Sequence, residues 1–199
     1  MKKNLLLSVS PTEALNVLNG KQSALLRKRV PKGYVGWCYG VVSKGKPYLI
    51  KAWGKYYFHN KDAIKGILQS NNDKRDYLLN GKIPFRFWYE EVSTLEYHKR
   101  NEVLMWDDNY YYYTKDNVYN NVECILDELQ LEHQEVLDYG NGKDLYAITI
   151  NKLEIFDKPM ELEQFRNIGT STFQGKKLNH VWKEVTKSPS AYQYVWVKE

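Results

Sequence analysis

The stretch Leu5-Leu6-Leu7-Ser8-Val9-Ser10-Pro11-Thr12-Glu13-Ala14-Leu15-Asn16-Val17-Leu18-Asn19-Gly20 decides the fold. Five residues with four apolar members read as a buried strand. Ser10 can cap a helix, Pro11 suits its first position, and Glu13 stands where a capping box places its carboxylate. Ala14, Leu15 and Leu18 share one helical face. Gly20 closes the helix, because glycine takes left-handed geometry at little cost.

Outward from this unit the chain alternates short strands with turns. Ala24-Leu25-Leu26 leads into the basic run Arg27-Lys28-Arg29, and Val30-Pro31-Lys32-Gly33 is a turn. Val35 to Ser43 is a Gly-spaced aromatic strand, Lys44-Gly45-Lys46-Pro47 a basic turn, and Tyr48-Leu49-Ile50 a further strand. Asn60 can cap a short helix carrying Ala63, Ile64, Ile67 and Leu68, and residues 70–76 read as a loop. Asn80-Gly81 turns the chain into a strand from Ile83 to Val92. Residues 102–106 and 110–114 read as a hairpin around Asp107-Asp108-Asn109, with the Tyr110–Tyr113 run placing two rings on each face. Asn121 to Tyr139 has helical periodicity, with Val122, Ile125, Leu126, Leu129, Val136 and Leu137 as core candidates and Gly140 and Gly142 as its end. Leu145 to Phe156 reads as one strand or two joined at Asn151-Lys152, Asp157-Lys158-Pro159 as a turn, and the residues up to Phe165 as a short helix. Residues 166–190 carry weak patterning, and Tyr192 to Val197 is a last strand. Short strands with three or four helices between them imply an α+β fold with a curved or barrel-like sheet.

The 199 residues suffice for a single domain with a sizeable core. No run reaches the roughly 18 apolar residues of a membrane helix. Met1-Lys2-Lys3 before Leu5 imitates a signal peptide, but the apolar run stops at Ser8, too short for one. Cys38 and Cys124 have neither metal spacing nor a disulfide framework, which fits buried thiols in a reducing cytoplasm.

Charge is uneven. Residues 1–61 hold 12 Lys/Arg against one acid, Glu13, a balance of +11, whereas residues 62–199 hold 17 against 23 acids, a balance of −6. A basic first half suggests a surface that faces a polyanion; scattered solvated lysines are the plain alternative.

Residues 5–11, the helix, Asn19-Gly20 and Arg27-Lys28-Arg29-Val30-Pro31 resemble the opening of ASCH domains in the PUA-like superfamily: a strand ending in Ser-hydrophobic-x-Pro, a short helix, a Gly-containing loop and a strand bearing Arg. Asn80-Gly81-Lys82 resembles the family's next strand entry. Leu153-Glu154-Ile155-Phe156-Asp157-Lys158-Pro159, Leu162, Phe165 and Ser188-Pro189-Ser190 resemble ASCH-type proteins of bacteriophages. The likeness spans most of the chain outside roughly residues 95–120 and 166–185. It implies one PUA-like β-barrel with flanking helices, an insertion at about 95–140 with a hairpin and a helix, and a cleft that faces nucleic acid, RNA before DNA. It needs no cofactor and no metal. The other readings are a phage protein that occupies a host factor, and an ASCH-type ribonuclease.

Site expectations follow. Arg27, Lys28, Arg29 and Lys32, with Lys21, Lys44 and Lys46, could neutralise phosphates from two turns and a strand end. On a strand, Arg27 and Arg29 share a face that Lys28 opposes. Trp37, Tyr39 and Trp53 could stack unpaired bases, or be core. One ASCH-like branch comprises acetylcytidine amidohydrolases, which use a Lys and a Thr after the helix. Those positions fall here on Gln22 and Leu25, and neither residue can act as nucleophile or proton carrier. Lys21 and Ser23 are nearby but displaced, and on a strand a one-residue shift reverses the face. His59, His98, His133 and His180 are dispersed, and Glu90-Glu91 and Asp107-Asp108 read as solvated pairs.

Overall fold

The computed structural model describes residues 2–60, 63–64, 66–67, 77–98, 103–106, 113–114, 117–118, 122–173 and 176–198. The expected loop at 70–76, Leu68 and the expected turn at 107–109 lie outside these residues, as do Tyr110–Tyr112.

The opening unit forms as its residues dictate. Strand β1 (Asn4–Val9) enters helix α1 (Pro11–Leu18) through Ser10, whose Oγ accepts from the Glu13 amide at 3.1 Å while Glu13 Oε2 accepts from the Ser10 amide at 2.8 Å. A reciprocal cap of this kind contributes about 1 kcal/mol. Ala14, Val17 and Leu18 are buried, and Gly20 follows with φ +69°. The remaining strands are β2 (Ala24–Arg27), β3 (Gly36–Val42), β4 (Tyr48–Ala52), β5 (Lys55–His59), β6 (Tyr77–Leu78), β7 (Ile83–Tyr89), β8 (Val92–His98), β9 (Val103–Trp106), β10 (Tyr113–Thr114), β11 (Asn117–Val118), β12 (Leu145–Thr149), β13 (Asn151–Met160), β14 (Phe165–Phe173), β15 (Lys176–Glu184) and β16 (Tyr192–Val197). Helices α2 (Val122–Leu129) and α3 (His133–Gly140) precede β12.

A seven-stranded sheet in the order β13-β7-β3-β1-β16-β14-β15 forms the body. Only β1 and β3 pair in parallel within it, with Leu5 opposite Cys38 and Val9 opposite Val42. A four-stranded sheet β2-β12-β8-β9 and a three-stranded sheet β5-β4-β6 complete the α+β architecture, with the short β10-β11 pair beside them. Among the described residues no sheet closes on itself. The antiparallel ribbon β7–β8 against β12–β13 runs from the large sheet into the four-stranded one, because Ile148 pairs with Val92 and Asn151 with Trp88 across the bend.

Both faces of the central strands of the large sheet are covered. Leu5, Leu7, Cys38, Phe85 and Phe87 pack with α1 and with Leu25 of β2 in one core. Leu6, Tyr39, Val41, Phe165 and Val195 form a second core on the opposite face. Two-sided burial explains why β1 reads as a continuous apolar run instead of an alternating one. A third cluster places Leu26, Leu95 and Ala147 under Leu129 of α2 and Val136 of α3.

Several expectations are revised. The helix over 121–139 is broken at residues 130–132, where Gln130 adopts φ +52°. Residues 102 and 110–112 of the expected hairpin lie outside the described residues; among those described, β9 pairs with β8, Leu95 opposite Trp106, and β10 with β11. Asp157-Lys158-Pro159 is a bulge inside β13, because Ile155 and Met160 are five positions apart while their partners Phe85 and Ile83 are two apart. Only a three-residue 3-10 turn, Leu162–Gln164, follows it. The weakly patterned 166–190 region holds the long β14–β15 hairpin.

Cys38 is completely buried in β3, and burial pushes its thiol well above the ordinary cysteine range, against a smaller opposing pull from Arg27. In a Cys124→Ser background, Cys38 should therefore resist iodoacetamide at pH 8 and react fully only in denaturant. Mass spectrometry of the alkylated chain checks this; labelling of the native protein within minutes would show that the core opens readily.

Candidate functional site

A cleft lies where β2 leaves its sheet, with a volume of about 670 Å³. Its walls are the first turns of α1, the exit of β2 from Leu26 to Arg29, the α2–α3 corner at 129–131, Tyr139 of α3, and Ser190-Ala191 before β16.

Arg27 is the floor. Its residue is only 7% exposed, although arginines are almost never buried without partners. Nη1 donates to Glu13 Oε1 at 2.6 Å and to the Leu26 carbonyl at 2.6 Å, and Nη2 donates to the Ser8 carbonyl at 2.8 Å. Glu13 therefore caps α1 with one oxygen and holds Arg27 with the other. The pair ties the end of β1, the start of α1 and the end of β2 together. These three bonds turn the guanidinium to protein acceptors and its charge is matched by Glu13, so Arg27 shapes the cleft.

Lys28 and Arg29 are exposed at the cleft mouth. Because β2 ends at Arg27, the strand rule that would oppose Lys28 to its neighbours does not apply, and all three residues line the same cavity. Lys28 Nζ stands 4.7 Å from the centroid of the Tyr139 ring, itself 40% exposed. Gln22 is 5% exposed and lines the cleft; its Nε2 donates to the Ala24 carbonyl at 2.7 Å. The carboxamide carries donor and acceptor side by side, the pattern that suits the edge of a base. The second acid of the cleft, Glu135, accepts from the Glu132 amide at 2.8 Å and so caps α3. The two carboxylates serve helix ends, and the open charge at the mouth is positive.

The other expected site residues lie outside this cleft. Lys21 and Lys32 occupy exposed turns on either side of β2. Lys44 and Lys46 are exposed on the loop before β4, which Asn80 organises by donating to the Gly45 carbonyl at 2.7 Å and accepting from the Leu49 amide at 2.8 Å. Trp37 packs edge-on against Trp88 at 5.5 Å, with the Arg86 guanidinium 4.1 Å from its centroid. Tyr39 is buried against Phe165, and its hydroxyl accepts from Arg86. Those two rings belong to the second core. Trp53 sits at the β4–β5 turn with φ +51°, is 62% exposed, and lies parallel to Tyr57 at 6.3 Å. Sequence reasoning did not single out Glu13 or Tyr139 as cleft residues. Glu13 was visible as a capping residue, but its bond to Arg27, and the approach of Tyr139 to Lys28, are tertiary. Among the described residues no group of three or more His, Cys, Asp or Glu is gathered to hold a metal ion.

No protein-family model matches the chain, and no curated protein does. Among solved structures the chain is similar to the ASCH protein from Zymomonas mobilis, at 12% identity and a TM-score of 0.43 over 81% of this chain and 75% of that one. It is similar also to a tyrosine-to-phenylalanine mutant of that protein, at 12% identity and a TM-score of 0.45 over 82% of this chain and 78% of that one.

Proposed function

We propose that the chain is a nucleic-acid-binding domain of the ASCH, PUA-like kind, in which the cleft beside β2 takes an unpaired segment of RNA. The observation that carries this reading is the grouping at the cleft mouth: Lys28 and Arg29 exposed together beside the Tyr139 ring, above the buried Gln22 carboxamide. Cations neutralise phosphate, a flat ring stacks on a base, and a carboxamide reads a base edge. The sequence likeness of residues 5–31 supports the family, and that of residues 153–165 and 188–190 supports a phage source and work in a host cytoplasm. In this reading the whole chain is one domain, residues 95–140 are its insertion, and Lys21, Lys32, Lys44 and Lys46 add diffuse positive potential.

Fluorescence anisotropy with a labelled 12-nucleotide RNA tests it. Lys28→Ala with Arg29→Ala should weaken binding about tenfold or more and flatten its dependence on salt, because two phosphate contacts are lost. Both residues are exposed, so the thermal midpoint should not move. Wild-type protein that binds no RNA at 50 mM salt, or a double variant that binds like the wild type, would overturn the reading; capture of a stoichiometric host protein by such a non-binding chain would favour an interaction role in its place.

A further inference from the structure

The fold sorts charge in a way the linear halves hide. Residues 62–164 carry 11 Lys/Arg against 21 acids, whereas residues 165–199 carry six against two, Glu184 and Glu199. The strand order places the basic chain ends side by side, β1 next to β16, β14 and β15. On that half of the sheet one face is aromatic and open. Trp182 of β15 meets Trp196 of β16 edge-on at 5.1 Å, the two rings reaching across β14. The register shows that they share a face, since Trp182 pairs with Ile168 and Trp196 with Arg166. Trp182 is 46% exposed and Ile168 42%. Arg166 stands opposite both Trp196 and Glu184 in the ladder and so shares this face, and the acid of the face, Glu184, is paired with Lys198. Hydrogen bonding to Lys198, then its charge, holds the Glu184 carboxyl below its usual range.

We propose that the Trp182–Trp196 face is a second contact for the same nucleic-acid strand, a platform on which unpaired bases stack beside Arg166. The proposal rests on the cleft reading above. The occupant follows from chemistry and position. An open aromatic surface among cations with one neutralised acid suits a flexible polyanion with flat apolar groups. One strand joins the platform to the cleft: Ala191 lines the cleft, and Tyr192, Tyr194 and Trp196 follow on one face of β16, the first two half-buried against the first core. From Ala191 to Trp196 the strand covers about 17 Å. A stacked strand of a dozen nucleotides spans roughly 40 Å at about 3.4 Å each, while three nucleotides span about 10 Å and stay in the cleft.

Anisotropy titrations with labelled 12- and 3-nucleotide RNAs separate the two sites. Trp182→Ala should weaken the 12-mer about tenfold, the effect of one lost stack, and leave the 3-mer unchanged. Trp182→Phe should restore most of the loss. Ile168→Glu, which sets a carboxylate on the platform without removing a ring, should weaken the 12-mer similarly. If Trp182→Ala and Ile168→Glu bind the 12-mer like wild type while Lys28→Ala with Arg29→Ala does not, the platform is overturned and the cleft reading stands. Wild-type protein that binds neither RNA overturns both.

Discussion

Arg27→Ala should destabilise the fold by about 2–4 kcal/mol, measured by urea denaturation, and should do so without any nucleic acid present. Its guanidinium is the partner of Glu13 Oε1, the Ser8 carbonyl and the Leu26 carbonyl. Removing it strands three acceptors, one of them a carboxylate, at a site where the arginine and glutamate side chains are 9% and 24% exposed. Breaking a buried pair from one side costs several kcal/mol because the remaining charge is neither paired nor solvated. Partial exposure of Glu13 sets the lower end of the range. Glu13→Gln should cost less, since glutamine still caps the helix from the third position. A loss below 1 kcal/mol for Arg27→Ala, accompanied by lost RNA binding, would instead make Arg27 a ligand-gripping group.

Phe85→Ala should cost about 3–5 kcal/mol, the usual range for a buried phenylalanine. Phe85 is fully buried in β7, and it faces Gly40 across the β3–β7 ladder. A Cβ at Gly40 would meet Phe85 Cε2 and Cζ at 2.5 Å, so the ring occupies the space a side chain there would need. Gly40→Ala should thus cost about 1–3 kcal/mol by overpacking. The two sites are one packing unit, so Gly40→Ala combined with Phe85→Leu should cost measurably less than the two single changes together. Thermal or urea melts of the four species give the coupling; strict additivity would mean that the ring moves aside freely.

What the sequence made legible was local. Ser10-Pro11-Thr12-Glu13 announces a helix start through contacts within four residues, and the structure forms that cap. The run Arg27-Lys28-Arg29 is legible as a basic surface, but its division into one buried and two exposed members depends on Glu13, 14 residues earlier. Trp37 and Tyr39 could not be assigned to core or surface, because β3 is covered on both faces and aromatic strands look alike in either place. The β14–β15 hairpin escaped for the opposite reason. Ile168 and Trp182 stay exposed while Phe165 of β14 is buried, so no consistent alternation marks the strands. The bulge at Asp157-Lys158-Pro159 carries turn residues but remains in the sheet, since a bulge and a turn draw on the same residue types.

The place of β1 has a consequence for how the protein comes into being. Its two neighbours in the sheet are β3, met early in synthesis, and β16, in which Leu5 pairs with Tyr194. At roughly 5–20 residues per second, a ribosome takes on the order of 10–40 s to travel from one partner to the other. Through that interval an apolar strand with Leu5, Leu6 and Leu7 has one ladder unfilled, an edge open to any extended chain nearby. Pairing so distant in sequence also slows folding after release. A nascent chain stalled before residue 192 should be captured by chaperones or aggregate, while emergence of β16 closes the edge from within.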